Sequence, residues 1–355
     1  MKFSKLWSVA ALVLVLAIIL VPAVMTAVID PLFHFHAPLP QLQYPLTSQR
    51  YQNDGIVRHF SYDAMITGTS LSENFRTSQF DRLFAVHSVK TSFSGGSFEE
   101  INRNLRQALE CNPELKLVLC TIDEWSLFSG KNMILASGEY PTYLYDNNPF
   151  NDVSYLLNRE VFFGYTLEVL RYTRSGGITT SFDSYSSWNL EHPFQNGPVP
   201  EVYTRPAQAD TQAKFTQAQQ DRLVDTMEST LLKFARDYPD VQFLFLFPPY
   251  SILNWDSHAR QGTLRQQVEA FRLASQVLLQ ADNIRLHAFY DDYETITNLQ
   301  NYVDSVHYDA AVSAMLLDRI AAGEGRLTRE ACDAYWSKVI DYYEAFDYDA
   351  LFPAS

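Results

Sequence analysis

The stretch DAMITGTSLSEN, residues 63–74, joins a short apolar run to a glycine and then to a serine. Apolar runs of this length that end in glycine are typical of buried strands. The residues after Gly68 begin like a helix. We therefore predict a strand over residues 63–69, with Ser70 placed just past its carboxyl end at the start of a helix.

Similar apolar runs recur along the chain and alternate with segments of helical spacing. They predict strands at residues 86–93, 116–122, 241–247 and 284–289. The helical segments are residues 98–111, 153–173, 211–238, 262–281, 309–322 and 328–346. Continuous apolar strands separated by helices are typical of a parallel sheet that is covered on both faces. The expected fold is α/β: a three-layer, doubly wound parallel sheet of flavodoxin-like order.

The N-terminus predicts a membrane anchor. Lys2 and Lys5 precede residues 6–29, which carry no charge, and about 20 apolar residues cross the hydrocarbon core. Lysines before the segment place the N-terminus in the cytoplasm and the rest of the chain outside it. The alternative is a cleaved signal peptide. Its apolar region is usually shorter, and Met25-Thr26-Ala27 is a poor cleavage site.

These boundaries divide the chain into three parts. Residues 1–29 form the cytoplasmic stub and anchor, and residues 30–60 read as an irregular connector rich in Pro, His and Tyr. Residues 61–355 form the α/β domain. An aromatic, turn-rich insertion at about residues 129–210 interrupts it. Such an insertion is either a lid or substrate wall, or a packed structural excursion.

Composition excludes several classes of protein. The 355 residues are 47% hydrophobic and carry a formal net charge of −14, which argues against a nucleic-acid partner. Three cysteines give no disulfide framework. The sequence contains no Cys-x-x-Cys or His-x-x-x-His spacing, so we predict neither a metal site nor a cofactor.

Ser70 is the first candidate for chemistry. A serine at the carboxyl edge of a parallel sheet faces the crevice where such folds bind ligands. A helix that starts there offers unpaired N–H groups, which favour a developing negative charge. The alternative is that Ser70 is only a helix N-cap, a role for which serine is common.

Two further motifs fall at the same predicted edge. Asp304 and His307 share one loop, so the imidazole could take the proton of Ser70 while the carboxylate orients the ring. Gly95 and Gly96 follow the second strand, where the backbone can approach a substrate oxygen, as an oxyanion hole requires. Each motif alone has a structural alternative, namely an ordinary turn.

Taken together, the order Ser, Gly, Asp-x-x-His resembles the SGNH or GDSL hydrolase superfamily over roughly residues 60–320. The resemblance implies Ser70 as nucleophile, His307 as general base and Asp304 as the orienting acid. It also implies an oxyanion donor at Gly95 or Gly96. The anchor, the Gly-Thr-Ser variant and the long insertion are similar to envelope members that act beside membrane-bound O-acyltransferases, as in alginate acetylation or teichoic acid D-alanylation.

The resemblance implies a serine-dependent O-acyl (most simply O-acetyl) transferase or esterase that acts on an envelope polysaccharide. Two positions depart from the family pattern. Thr69 replaces an Asp, and Asp123 stands where the family has an Asn that donates to the oxyanion. An ionised Asp123 would repel an oxyanion, so it helps only if protonated, or else it holds an acceptor hydroxyl. Asn74 either points into the crevice or lies on the helix surface.

Two alternatives remain open at this stage. The domain could be an inactive SGNH-like scaffold that binds a glycan or a membrane partner, which Asp123 favours. Alternatively, the Gly-Thr-Ser turn could be a helix cap in an unrelated α/β fold.

Overall fold

The protein is described by a computed structural model that covers residues 2–132, 140–146, 148–188 and 203–352. Its centre is a six-stranded sheet with the order β2-β1-β3-β4-β5-β6. The strands are β1 (Ala64–Gly68), β2 (Ser88–Ser92), β3 (Leu117–Thr121), β4 (Gln242–Phe247), β5 (Ile284–Ala288) and β6 (Arg326–Leu327). The first five strands are parallel, and β6 pairs antiparallel with β5.

The register of β1 fixes the geometry of the sheet edge. Within β1, Gly68 lies opposite Ser92 of β2, while Thr67 lies opposite Cys120 of β3. Every residue of these three strands is buried. A strand buried on both faces needs apolar or internally bonded side chains throughout, which explains the continuous apolar runs. In the sheet, β1 therefore lies between β2 on one side and β3 on the other.

Thirteen α-helices lie in the described part of the chain. They are α1 (Lys2–Ile29), α2 (Gln49–His59), α3 (Thr77–Phe84), α4 (Phe98–Cys111), α5 (Val153–Leu156), α6 (Leu167–Arg174), α7 (Gln217–Ser229), α8 (Leu231–Asp237), α9 (Ile252–Arg260), α10 (Leu264–Leu278), α11 (Tyr293–Thr297), α12 (Ala310–Ala321) and α13 (Cys332–Ala345). Helix α4 begins with a capping box, in which Ser97 and Glu100 each bond the other's backbone amide. This box satisfies two amides that a helix start leaves open.

The chain divides into two compact units. The smaller unit contains residues 1–61 and 137–181, and the larger unit contains residues 62–136 and 182–355 with the whole sheet. The smaller unit has its own apolar core, built around Leu32, Tyr155 and Val161. The Tyr155 hydroxyl donates to Asp30 Oδ1 at 2.7 Å, which satisfies both buried polar groups.

The N-terminal helix is long and apolar enough to cross a membrane. The segment Lys5–Ile29 has 25 residues with a mean hydropathy of 3.0, and most of its side chains are exposed. About 20 such residues span the hydrocarbon core.

The predicted mixed α/β fold, with a mostly parallel sheet and an N-terminal apolar helix, is confirmed. All five predicted strands are present. The structure adds a sixth strand, β6, which has only two residues and is too short to show a hydrophobic pattern in the sequence. The prediction of an irregular connector over residues 30–60 is wrong for Gln49–His59, which form α2. The sequence does not predict α2, because its buried face includes Gln52, Asn53 and Asp54 and therefore has no apolar stripe.

Three predicted helices also differ from the structure. Ser70 starts a single 3-10 turn, Ser70–Ser72, and the next α-helix begins only at Thr77. The helix expected over residues 211–238 is broken at Thr230, whose hydroxyl donates back to the Thr226 carbonyl and bends the chain. The helix expected over residues 153–173 is α5, a π-helical turn Val161–Thr166 and α6. The insertion predicted over 129–210 falls partly outside the described residues.

Gly68 is required by both conformation and space, which gives a stability prediction. Its φ is +138°, and an added Cβ would lie 2.0 Å from Thr121 Oγ1. We expect Gly68→Ala to destabilise the protein by more than about 2 kcal/mol, because strain and overpacking add. The measurement is the free energy of unfolding of the full chain in detergent micelles.

Gly95→Ala is the matched control for Gly68→Ala. Gly95 also has a positive φ, +54°, but no atom lies within 4 Å of the position of a Cβ. Its replacement should cost only about 1 kcal/mol, from the backbone alone. Equal losses for the two variants would contradict the close approach of β1 and β3.

Candidate active site

The turn after β1 presents the Ser70 hydroxyl. Thr69 is in an extended conformation, and its own hydroxyl caps the turn by accepting from the Leu71 amide at 3.4 Å. Ser72 Oγ donates to the Thr69 carbonyl at 2.8 Å and fixes the turn from inside. Because Thr69 provides the cap, Ser70 is not the N-cap, and its half-buried side chain has another partner.

Ser70, His307 and Asp304 form one hydrogen-bonded chain. Ser70 Oγ lies 2.8 Å from His307 Nε2, although the two residues are 237 positions apart in sequence. His307 Nδ1 lies 2.7 Å from Asp304 Oδ2. This geometry fits an Nδ1–H that donates to the carboxylate, which leaves Nε2 free to accept the proton of the serine hydroxyl.

A tight loop explains why Asp304 and His307 face each other. An antiparallel bridge between Tyr302 and Tyr308 closes the loop. Inside it, Asp304 Oδ1 accepts from the backbone amides of Val306 and His307, both at 2.7 Å. The second carboxylate oxygen is thereby directed at the imidazole. Because His307 follows Asp304 by three residues, one carboxylate can bond both the backbone amide and the imidazole of His307.

Two hydroxyl groups hold this loop against the rest of the sheet edge. Tyr308 donates to the Leu71 carbonyl at 2.8 Å, which ties the histidine loop directly to the serine turn. Ser251, which follows β4, donates to the Ser305 carbonyl at 2.7 Å. The hydrogen bond of Tyr308 is buried and that of Ser251 is partly buried, so both restrain the distance between Ser70 and His307.

Burial and the pairing with Asp304 set the electrostatics of His307. Burial alone would lower the pKa of His307, but the hydrogen bond and charge of Asp304 outweigh it, and the pKa is raised above 6.5. Burial would likewise raise the pKa of Asp304. The hydrogen bond and charge of His307 and the two loop amides outweigh burial and lower it. Asp304 is thus ionised whenever His307 is needed as a base.

Asp123 lies beside this chain as a buried carboxyl group. It follows β3 by the same two residues by which Ser70 follows β1, so the two positions are neighbours at the sheet edge. Asp123 Oδ2 accepts from the hydroxyl of Thr69 and from Trp125 Nε1. Among the described residues, no donor reaches Oδ1. Burial raises the pKa of Asp123 to about 6, despite the two hydrogen bonds that lower it.

The two glycines of the second motif differ in what their amides do. The Gly96 amide donates to the Phe93 carbonyl at 2.8 Å, so it is used within the loop. Gly95 is exposed and has the positive φ that such a turn requires. The Phe93 amide in turn donates to the Gly68 carbonyl at 2.9 Å, which joins this loop to the end of β1. Of the two glycines, the geometry favours Gly95 as an amide open to a ligand.

Asn74 is neither on the surface nor directed at Ser70. It is 4% exposed, and its Oδ1 accepts from Ser187 Oγ at 3.2 Å and from the Trp188 amide at 3.3 Å. The surface alternative is therefore wrong. Through these bonds Asn74 holds Trp188, whose Nε1 donates to the Ser70 carbonyl at 3.3 Å and whose ring packs edge-on against His307.

Two residues that the sequence did not single out support this region: Trp188 contacts Ser70 and His307, and Lys90 holds the backbone just after the Ser70 turn. Lys90 lies fully buried in β2 and donates to the carbonyls of Glu73 and Phe75, at 2.5 and 3.2 Å. Burial lowers its pKa to about 8. Its signal in the sequence was a charge inside an apolar strand, which is rare unless the charge is paired.

The described residues contain no cluster of three or more His, Cys, Asp or Glu side chains that could hold a metal ion. A cavity of about 560 Å³ in the larger unit is lined by other residues, among them Arg205 and Asp256. These two side chains already neutralise each other at 2.8 Å. The cavity therefore adds no reactive group to the Ser70 site.

No protein-family model and no curated protein matches the chain. Among solved structures, the chain is similar to a protein from Streptococcus pneumonia that carries the provisional description of a platelet activating factor. The two are 11% identical over 78% of this chain and 90% of the other, with a TM-score of 0.38. A likeness at this level carries no argument about fold or function.

The buried carboxyl of Asp123 gives a prediction for stability. Its pKa is about 6 in the folded protein against an ordinary 3.8, so the folded state keeps a proton that the unfolded chain has lost. Stability therefore falls as pH rises from about 4 to about 6. We expect Asp123→Asn to gain up to about 3 kcal/mol at pH 8 and nothing at pH 4, since one pKa unit is about 1.4 kcal/mol.

Thermal unfolding of the full chain in micelles at both pH values measures this gain. Asp256→Asn is the matched control, because Asp256 is also fully buried but is paired with Arg205. That variant should lose stability at pH 8, since the Arg205 guanidinium loses its buried partner and keeps only the exposed Asp349. A loss of stability for Asp123→Asn at pH 8 would contradict an unfavourable buried charge at Asp123.

Proposed function

We propose that the chain is a membrane-anchored serine esterase or O-acyltransferase of the SGNH type that modifies an envelope polysaccharide. The observation that carries the proposal is the hydrogen-bonded chain from Ser70 through His307 to Asp304, with links of 2.8 and 2.7 Å. Ser70 and His307 lie 237 positions apart in sequence, so their contact is not imposed by the local chain. The constellation is defined by geometry and roles rather than by sequence position.

The strand order supports the finer fold assignment. The order 2-1-3-4-5 is that of doubly wound sheets, in which ligands bind outside the carboxyl ends of strands, next to the strand where the order reverses. Ser70 follows β1 and Asp123 follows β3, on the two strands that flank this reversal. We infer a three-layer α/β/α arrangement of SGNH type, with Ser70 at its crevice.

The proposed reaction proceeds through an acyl-enzyme. Ser70 Oγ attacks the carbonyl carbon of an acyl ester while His307 Nε2 takes the hydroxyl proton, and Asp304 stabilises the resulting imidazolium. The tetrahedral intermediate then expels the alkoxide of the donor, which takes the proton from Nε2. Water or a sugar hydroxyl attacks the acyl-enzyme by the same steps in reverse. Esterase and transferase share the first half.

The oxyanion donors are assigned to the backbone amides of Ser70 and Gly95. Asp123 could donate only while protonated, below about pH 6, whereas His307 is neutral only above its raised pKa. The two requirements favour opposite ends of the pH range. We therefore assign Asp123 the other role, in which Oδ1 accepts a hydroxyl from the acyl acceptor.

Helix α1 supports the proposed location. Lysines at its start favour an N-terminus in the cytoplasm, so that the catalytic unit faces outward as a single-pass membrane protein. Cytosolic acyl donors are not available there. A transferase at this place requires an acyl group from a partner, such as a membrane-bound O-acyltransferase, or from another acylated molecule. An esterase requires only the acylated polysaccharide.

The second candidate function is an inactive SGNH-like scaffold that binds a glycan or a membrane partner. The buried Asp123 favours it, because an ionised carboxylate beside the nucleophile opposes a developing oxyanion. The same first experiment separates the two candidates.

That experiment is covalent labelling with a fluorophosphonate, which reacts only with activated serines. We expect the full chain in micelles to be labelled, and the label to be lost in Ser70→Ala and in His307→Ala. Ser337→Ala, which removes an exposed serine hydroxyl of α13, should label like the native chain. Absence of Ser70-dependent labelling in folded protein, together with no hydrolysis of a p-nitrophenyl ester, would leave the scaffold function.

The pH dependence of labelling gives a further prediction. Only neutral His307 can accept the serine proton, so the labelling rate should rise with pH about a midpoint above 6.5. Asp304→Asn removes the hydrogen bond and charge that raise this pKa. The midpoint should move to lower pH, and the plateau rate should fall by roughly 10²–10⁴-fold. An unchanged midpoint would show that Asp304 does not act on His307.

A further inference from the structure

The smaller unit leaves large apolar side chains exposed along one segment. Within residues 150–170, Phe150 is 89% exposed, Phe163 57%, Val153 53% and Leu157 50%. We call this stretch the apolar segment. Several large apolar side chains exposed on one short stretch are a candidate for contact with a partner or a membrane.

The apolar segment lies along the membrane helix. Thr166 Oγ1 bonds Thr26 Oγ1 of α1 at 3.1 Å inside the smaller unit. Nearer the middle of α1, Ile18, Ile19 and Pro22 form one wall of a groove of about 390 Å³. The opposite wall is formed by α5 and the π-helical turn, through Leu156, Leu157, Phe162 and Phe163.

The position of this groove along α1 sets its depth. If the hydrocarbon begins at Leu6, about 20 residues place its outer boundary near Met25. At about 1.5 Å per residue, Ile18 and Pro22 then lie roughly 10 and 5 Å below that boundary. Interfacial helices bury their apolar face by about 5–10 Å. The groove is therefore at the depth of the outer acyl chains.

The backbone of the apolar segment is suited to this environment. Amides in lipid need internal partners, because water does not supply them there. From Val153 onward the segment is helical except at the break between α5 and the π-helical turn. At that break Asn158 Oδ1 accepts from the amides of Glu160 and Val161, at 2.8 and 3.3 Å. The break is thus closed by a side chain of the segment itself.

The charges limit how deep the segment can go. Arg159 is exposed and lines the groove, and Glu160, the next residue, is also exposed. A long arginine side chain can extend to the headgroups while its stem stays apolar. Arg171 and Arg174 are exposed on α6, which follows the segment. An apolar face with adjacent arginines is typical of a helix that lies in the interface rather than one that spans the bilayer.

We propose that residues 150–170 form an interfacial membrane-binding element, which enters the outer leaflet beside α1 and whose groove holds a lipid acyl chain. The inference rests on the anchor in the proposed function but not on the Ser70 chemistry. It gives the smaller unit two attachments to one leaflet. The second attachment would restrict rotation of the unit about the membrane helix.

The test is depth-dependent quenching in the full chain, reconstituted into phosphatidylcholine–phosphatidylglycerol vesicles with acyl-brominated lipids. Cys111, the exposed cysteine, is replaced by Ser, while Cys120 and Cys332 are buried. Phe163→Cys then carries an NBD label. We expect brominated lipids to quench it about twofold more than a label at Thr47→Cys, an exposed polar position of the same unit.

A label at Leu14→Cys, in the middle of α1, separates the possible failures. Quenching at Leu14 without quenching at Phe163 beyond the Thr47 level overturns the interfacial element and leaves the anchor intact. In that case the groove fits a helix of a protein partner instead. No quenching at Leu14 overturns the anchor and the element together, while fluorophosphonate labelling of Ser70 still reports on the proposed reaction. Far-UV circular dichroism of each labelled chain checks that it is folded.

Discussion

The close pairing of β1 with its two neighbours is the constraint on which the site depends. Gly68 ends β1 against Thr121 of β3, at a distance that leaves no room for a Cβ. Its carbonyl accepts from the Phe93 amide at the end of β2. Three loops therefore leave the sheet from one point. The Ser70 turn, the Gly95 loop and Asp123 are adjacent because β1 lies between β2 and β3.

The sequence predicted this edge well because strands and their ends have strong local signals. Buried parallel strands are continuous apolar runs, so β1 to β5 were recognisable and the motifs that follow them could be placed. Two facts made the Ser70–His307 pair predictable: both residues follow predicted elements at the same edge, and Asp304 and His307 share one loop. The pattern could not say that Thr69, rather than Ser70, caps the turn. Which of the two hydroxyl groups caps the turn depends on the side-chain rotamers of Thr69 and Ser70.

What the sequence could not predict depends on polar burial and on distant contacts. Helix α2 buries Gln52, whose amide group bonds the backbone at residues 31, 45, 47 and 48. A helix with a polar buried face gives no apolar period. Trp188 and Lys90 act on the Ser70 turn through backbone carbonyls, and no local pattern reveals which carbonyl a side chain reaches. The division into two units likewise joins residues 137–181 to the N-terminus, although the chain between them builds half of the sheet.

Asp123 bears most directly on which chemical group the proposed site would bind. An asparagine there could accept the same two hydrogen bonds, from Thr69 and Trp125, without the cost of a buried charge. A carboxylate differs in that its second oxygen is also an acceptor, and it is this oxygen that lacks a donor among the described residues. Such an oxygen repels an oxyanion but attracts a hydroxyl. Placed one strand from Ser70, it suits a bound hydroxyl group better than an oxyanion, and either water or a sugar hydroxyl would meet that requirement.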